Sequence, residues 1–358
     1  VNSWDVIIAG AGIIGVSLAL KLQAHGAKVL LLDRSGPGRE ASWAAAGMLA
    51  AADPETPVQL REIAFASARM FPEYVRQLEI ESGLSVDFRR HGTIAFLKSP
   101  QPPQHYKKLS LEDVVRLEPS LQSAGHNAFF VEEDSVDPRL LMQAALAVAQ
   151  NRGIEIRTAA VQEFRALGQD VEAVTNAAPN KERLVAHKAV NCQGSWAGAP
   201  VRPRKGQMLY VQPAQAVLNH VVRAPEVYIV PRSSGKILIG ATVEDAGFDK
   251  TVEPTVIQNL LNLAAKYIPG LASAQIIESW AGLRPGTPDD LPILGAAEIP
   301  GVFLATGHFR NGILLAPVTA AIMSALVMGR PAPFDLASCS PGRWQQEGSV
   351  QRASSVKE

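Results

Sequence analysis

The glycine series near the start of the chain, Asp5-Val-Ile-Ile-Ala-Gly10-Ala-Gly12-Ile13-Ile14-Gly15, constrains the fold more than any other feature. Val-Ile-Ile-Ala reads as a short buried strand, and a helix pattern runs from Ile13 through His25. Gly10 permits a tight turn, Gly12 lets backbone amides approach a pyrophosphate, and Gly15 lets helix and strand pack closely. The helix N-terminus favours the anion, because its free amides and its dipole both face it. A glycine trio alone is weak evidence, so the next strand decides. Lys28-Val-Leu-Leu-Leu-Asp33 ends in an acid eighteen residues past Gly15, placed to accept hydrogen bonds from a ribose hydroxyl pair. Arg34 would suit a 2′-phosphate, but Asp33 favours an unphosphorylated ribose.

The chain has 358 residues, 47% of them hydrophobic, which is enough for one large or two moderate domains. Lys plus Arg and Asp plus Glu both number 34, so no overall field draws the protein to nucleic acid or acidic lipid. Cys192 and Cys339 are too few and too far apart for a disulfide framework or a zinc site. No metal is expected, and the usage fits a reducing cytoplasm. The first residues carry no basic region before their apolar run and do not read as a signal peptide. Residues 336–358 are polar and aperiodic, and read as a loosely held tail.

Strand and helix grammar returns at residues 138–200: Pro138 to Asn151 as a helix, Gly153-Ile-Glu-Ile-Arg as a strand, and Ala189 to Gly194 as a strand entering a turn. A nucleotide domain assembled from 1–50, 138–200 and 276–335 follows. Residues 51–137 and 201–275 hold β-rich runs such as Gly92-Thr-Ile-Ala-Phe-Leu and Val227-Tyr-Ile-Val-Pro-Arg232, which predict a second, antiparallel-sheet domain for a substrate. The expected class is therefore α/β, a Rossmann-type domain with a sheet domain beside it. The run Ser42-Trp-Ala-Ala45-Ala46-Gly47-Met48 is small enough to lie along a long cofactor, with Ser42 offering a hydroxyl; it reads equally well as an Ala-rich helix. Between Arg310 and Arg330 there is no charge. A span needs about twenty apolar residues, but a helix buried against a sheet is just as apolar, and the buried helix is the reading taken, with no membrane span.

These residues carry a resemblance. GAGIIG, AAAGML, YIVPR with SGKILIGAT, WAGLRPGTPDDLPILG and GHFRNGILLAPVTA together resemble the D-amino acid oxidase family of FAD enzymes, and within it the bacterial glycine oxidases of thiamine biosynthesis. The resemblance spans residues 5–329 and implies a GR2-like FAD-binding domain. It also implies a cofactor set of Gly10, Gly12, Ile13, Ile14, Gly15, Asp33, Arg34, Ser42, Ala45, Ala46, Gly47, Met48, Val161, Gly194, Trp196, Gly307, His308, Arg310, Asn311, Gly312, Ile313 and Leu314. A related sarcosine oxidase tethers its flavin to a cysteine near the position of Trp280-Ala-Gly282; no cysteine stands there, so FAD is expected to be bound non-covalently.

The family's chemistry moves a hydride from the α-carbon of a neutral amine to the flavin, so most of the protein's work is positioning. A planar guanidinium suits a carboxylate. By resemblance Arg284 is that clamp, with Pro285 holding it extended; Tyr228 is the second carboxylate contact and Arg310 the second arginine. Gly47, Met48, Glu226 and Val243 would line the pocket, Glu226 standing where family members carry histidine and Val243 where they carry methionine. His308 is expected to be structural or flavin-contacting, in a turn over Gly307 to Gly312 that leads into a helix from Ile313. The implied activity is oxidative deamination of glycine, sarcosine or small D-amino acids with O₂ as acceptor, giving hydrogen peroxide, in a cytoplasmic homo-oligomer. A same-fold dehydrogenase serving a carrier or quinone, and a non-catalytic flavin-binding subunit, are the alternatives.

Overall fold

The computed structural model describes residues 4–176 and 182–344. The chain divides into two compact units: Val1–Arg39, Ala145–Arg202 and Pro285–Glu358 form the first, Glu40–Ala144 and Pro203–Arg284 the second. Residues 40–50, 138–144 and 276–284, read from sequence with the nucleotide domain, group with the second unit.

In the first unit the strand Trp4–Ala9 pairs in parallel with Val29–Asp33 on one side and Arg183–Asn191 on the other. Glu155–Thr158 extends the parallel run beyond Val29–Asp33, and Val302–Thr306 extends it beyond Arg183–Asn191. Antiparallel strands Val161–Leu167, Asp170–Thr175 and Ile293–Ala296 complete the sheet. Its central strands are buried, which explains their unbroken Val, Ile and Leu composition. The helix Ile13–Ala24 packs on the helix Ala316–Val327. Both helices bury residues on nearly every side, so the uncharged run after Arg310 is core. Among the described residues no helix is long and apolar enough to cross a membrane.

The predicted tail is held firmly through Trp344. Arg343 makes a paired bond to Asp289, at 2.7 and 2.9 Å, and donates to the carbonyls of Leu291 and Pro292. Cys339 is buried. Residues 345–358, where the rest of that reading falls, lie outside the described residues.

The second unit is built on a sheet whose order runs Gln275–Gly286, Arg202–Gln212, Ile237–Gly240, Tyr228–Pro231, Val221–Arg223, Thr93–Leu97, Asn127–Val131, Lys107–Lys108. Val221–Arg223 lies parallel to Thr93–Leu97, while the pairs from Arg202–Gln212 to Val221–Arg223 and from Thr93–Leu97 to Lys107–Lys108 are antiparallel. Alternation separates its faces. Leu209, Val211, Ile229 and Ile239 enter a core with the helix Pro254–Tyr267, while Met208, Tyr210, Val230 and Leu238 face Ala44, Ala46 and Trp280. A small sheet of Met48–Leu49, Asp134–Val136 and Phe88–Arg89 adjoins.

Candidate active site

In the first unit the turn after Trp4–Ala9 is as tight as its glycines allow. Gly10 has φ +104°, and a Cβ there would stand 2.2 Å from the Cys192 carbonyl oxygen; one at Gly15 would stand 1.9 Å from the Gly10 carbonyl oxygen. The helix Ile13–Ala24 begins at an extended Gly12 with no capping side chain and no acid in its first turn, which leaves its amide end to an anion. Asp33 accepts from the amides of Ala11 (2.9 Å), Ser35 and Gly36 (both 3.1 Å). A carboxylate has about four acceptor positions, so capacity remains for a ribose hydroxyl. Beside it opens a cleft of about 450 Å³ lined by Arg34, Ala160, Val161, Gln193 and Trp196, with the Arg34 guanidinium stacked 3.7 Å over the Trp196 ring. An uncapped helix end, an acid with acceptors to spare and an adjoining cleft fit a dinucleotide.

The Gly307 turn lies in the same unit. Gly307 has φ +74° and leaves no room for a Cβ, which would meet Thr287 at 2.6 Å. A short 3₁₀ turn, Phe309–Asn311, follows, and Gly312, Ile313 and Leu314 continue as turns before the α-helix begins at Ala316. The helix start is therefore three residues later than Ile313. Pro317 explains the delay, because it lacks an amide and is accommodated in a first turn. His308 is buried and shares a 3.1 Å hydrogen bond with the Thr319 hydroxyl. Burial pushes its pKa down to about 3, so the ring is neutral and cannot serve as a cation. Arg310 is exposed, its guanidinium 5.3 Å from the Phe309 ring. Gly194 lies in the Gly194–Trp196 turn, where its carbonyl accepts from Thr306.

The second unit carries Arg284. Its Nη1 donates to the carbonyls of Thr242 (3.1 Å) and Lys205 (3.5 Å). Gly206 lies directly beneath the guanidinium: a Cβ there would be 2.3 Å from Nη1 and 2.4 Å from Nη2. Met208 pairs with Gly240 while Lys205 pairs with Glu244, so Ala241, Thr242 and Val243 oppose only Gly206 and Gln207. Such a bulge re-aims a strand, and here it presents the Thr242 carbonyl to Arg284. Beneath the bulge, buried Lys205 lies 3.4 Å from Glu244, and Glu244 also accepts from Gln207 and the Thr242 hydroxyl.

Tyr228 packs on the face of Val230 and Met208. Its ring lies over its cross-strand partner Gly240, where a Cβ would stand 2.6 Å from the hydroxyl. Met48 and Ala241 join the same cluster. Glu226 does not. Its carboxylate accepts from the Tyr267 hydroxyl at 3.4 Å, and Tyr267 belongs to the core on the opposite face. The turn between the strands Val221–Arg223 and Tyr228–Pro231 breaks the alternation that would have carried Glu226 to the Tyr228 side, so its placement with the pocket residues is corrected. Val243 is 50% exposed within the bulge.

The Ala-rich run is a helix only over Ala41–Ala44; it then extends through Ala45 and enters the strand Met48–Leu49. Buried Arg232 sets this path. It donates to the carbonyls of Ala46 (2.6 Å) and Val136 (3.2 Å) and to the Tyr210 hydroxyl. Trp280 Nε1 donates to the Ala44 carbonyl, and Arg139 stacks 3.5 Å over Trp43 while pairing with Glu278. Gly47 has φ +80° with Val136 and Pro138 against it. Ser42 lies half-buried in the helical turn. Arg232, Gly206, Gly240 and Lys205 were not singled out from sequence. Arg232 stood in a quoted motif, but nothing in one strand tells which carbonyl it reaches.

A parallel sheet opening on a dinucleotide turn, and a second sheet bearing a guanidinium paired with no carboxylate among the described residues, define a nucleotide-cofactor protein of two units. The chain belongs to the DAO family, the FAD dependent oxidoreductases, whose model matches residues 5–326. It is 35% identical to the bifunctional protein ThiO/ThiG of Trichormus variabilis over 97% of this chain, and it spans 56% of that relative's length. It is 31% identical to a glycine oxidase of Pseudomonas aeruginosa, covering 95% of this chain and 99% of the relative. The solved glycine oxidase of Geobacillus kaustophilus superposes with a TM-score of 0.89 at 29% identity, over 95% of this chain and 98% of that one. FAD is the cofactor of the family.

Proposed function

We propose that the protein oxidises glycine or another small amine, such as sarcosine or a small D-amino acid, to the corresponding oxo acid. The observation that carries this reading is Arg284, whose guanidinium rests on Gly206 and is held by carbonyls, with no carboxylate paired to it among the described residues. A guanidinium supported this way keeps its charge for a ligand's carboxylate. When bound, FAD supplies a two-electron acceptor for the hydrogen on the substrate's α-carbon. Asp33, the amides after Gly12 and the Arg34–Trp196 cleft would hold its nucleotide. No cysteine stands at Trp280-Ala281-Gly282, so FAD is held non-covalently in this reading.

Arg284 fixes the carboxylate and so the direction of the α-carbon. The Tyr228 hydroxyl is the further carboxylate contact. His308 is buried and engaged with Thr319 and is not assigned as a base, so the amine is deprotonated on binding or selected in its neutral form. O₂ as acceptor, a homo-oligomer and a place in thiamine biosynthesis belong to this same proposal. The test is anaerobic bleaching of the flavin by glycine, sarcosine, D-alanine and D-proline, followed by a peroxide assay under air. Arg284→Ala should retain FAD and lose bleaching by the order of a hundredfold, the loss of a buried charge-assisted pair of about 2 to 5 kcal/mol. No bleaching of the parent enzyme by any amine, or equal bleaching of the variant, would overturn the reading.

A further inference from the structure

Both hydrogen bonds that Arg284 makes among the described residues fall on Nη1, to the carbonyls of Thr242 and Lys205. They set the tilt of the guanidinium and leave its Nη2 edge to a ligand. Whatever holds those two carbonyls therefore decides where a bound carboxylate sits. The Lys205 carbonyl is fixed by the Glu244 amide at 2.9 Å, but no backbone amide among the described residues donates to the Thr242 carbonyl. It lies where the register slips between the pairs Met208–Gly240 and Lys205–Glu244.

Side chains stand in for the ladder at this point. The Thr242 hydroxyl accepts from the Gln207 amide at 2.9 Å and donates to the Glu244 carboxylate. The same carboxylate oxygen accepts from Gln207 Nε2 at 3.0 Å, and the other lies 3.4 Å from the ammonium of Lys205, whose side chain is 2% exposed. Burial alone would raise the Glu244 pKa. The bonds from Thr242 and Gln207 and the Lys205 charge outweigh it and hold the carboxyl below its ordinary value. A hydroxyl has one proton to give, so with one bond donated and one accepted its direction is set. Thr242 is thus pinned at the tip of its side chain, and its carbonyl is carried with it.

We propose that Thr242 and Glu244 are positioning residues for the substrate carboxylate: they lock the bulge in the arrangement that aims the Thr242 and Lys205 carbonyls at Nη1, and so orient the Arg284 fork. This rests on the amine-oxidase reading above. Neither residue touches the substrate. Their effect reaches it through Arg284 alone, which separates this role from support of the fold.

The test measures acetate affinity of the FAD-loaded enzyme, read from the flavin spectrum, together with KM and kcat for glycine. Thr242→Val, similar in size but without the hydroxyl, should weaken acetate and raise the glycine KM by about tenfold, with a smaller change in kcat. Thr242→Ser, which keeps the hydroxyl, should restore most of the loss. Glu244→Gln should act in the same direction as Thr242→Val, because an amide has one acceptor oxygen where the carboxylate has two. In an Arg284→Lys background Thr242→Val should change acetate affinity by less than about twofold, since effects that pass through one group are not additive. An equal loss in that background would assign Thr242 to the fold and overturn the proposal, as would unchanged acetate affinity in Thr242→Val. Thr242→Val that sheds FAD, with Glu244→Gln at full acetate affinity, would overturn it too. A parent enzyme that binds acetate and is bleached by glycine leaves the oxidase reading intact through all these results; one that does neither overturns both.

Discussion

Gly206→Ala separates the proposed substrate clamp from the fold that carries it. The added methyl would be placed 2.3, 2.4 and 2.6 Å from Nη1, Nη2 and Cζ of Arg284. Ordinary contact is about 3.5 to 4 Å, so the guanidinium must retreat by about 1 Å or swing away. The displaced atoms are the far end of a flexible side chain, and position 206 lies outside the left-handed region, so the strand accepts alanine without strain. Replacing a strand glycine even stabilises by about 0.5 to 1 kcal/mol, which offsets the lost Nη1 bonds to Thr242 and Lys205.

Function should respond differently, because a displacement of about 1 Å in a positioning group costs on the order of a hundredfold. Gly206→Ala is expected to keep its urea midpoint and FAD content, while kcat/KM for glycine falls by about a hundredfold. Binding of acetate, read as a perturbation of the flavin spectrum, should weaken in parallel. A variant with unchanged kcat/KM and unchanged acetate affinity would show that the substrate carboxylate does not lie on Arg284.

Three further outcomes follow from the same geometry. Arg232→Met should destabilise the protein by about 3 kcal/mol, the penalty for breaking a buried charged network, measured by urea unfolding; FAD retention should fall with it, since the Ala46 and Val136 carbonyls lose their donor. Glu226→Gln should leave kcat/KM and its pH profile unchanged, because Glu226 faces Tyr267 rather than Tyr228; a shifted profile in steady-state assays would contradict that placement. The His308 pKa is lowered to about 3 by burial, so the unfolded chain binds a proton that the folded one refuses. The associated stability is complete above the ordinary histidine pKa and is lost as pH falls from about 6.5 toward 3, by about 1.4 kcal/mol per unit. His308→Gln should flatten that part of the pH–stability curve, and an unaltered slope would place the acid sensitivity elsewhere.

The nucleotide half was legible because its constraints are local. Gly10, Gly12, Gly15 and Asp33 lie within one strand, turn and helix, and each residue's task follows from its distance to the next. The helix after Gly307 was legible in kind but not in start, because the uncharged run sets no boundary and Pro317 admits a beginning on either side of Leu314. Glu226 was misplaced because the two-residue period holds only within a strand and the intervening turn resets it.

The second sheet's glycines resisted reading for a related reason. Gly206, Gly240 and Gly282 serve no turn; each leaves out a side chain so that a group from another strand or loop can lie there, namely Arg284, Tyr228 and Ala44. The partner is 78 residues away in the first case, 12 in the second and 238 in the third, and no spacing rule links them. What the sequence does offer is their occurrence in strand-like runs, Lys205-Gly206-Gln207-Met208, Ile237-Leu238-Ile239-Gly240 and Trp280-Ala281-Gly282-Leu283, where glycine weakens the strand and needs a compensating reason. Here that reason is room, for the Arg284 guanidinium, the Tyr228 ring and the Ala44 loop. Alanine at 240 or 282 should therefore disturb the Tyr228 ring or the Ala44 loop as alanine at 206 disturbs Arg284. The consequence at 282 is the heaviest, because Ala44 offers a backbone-bound Cβ at 2.5 Å rather than the movable end of a long side chain.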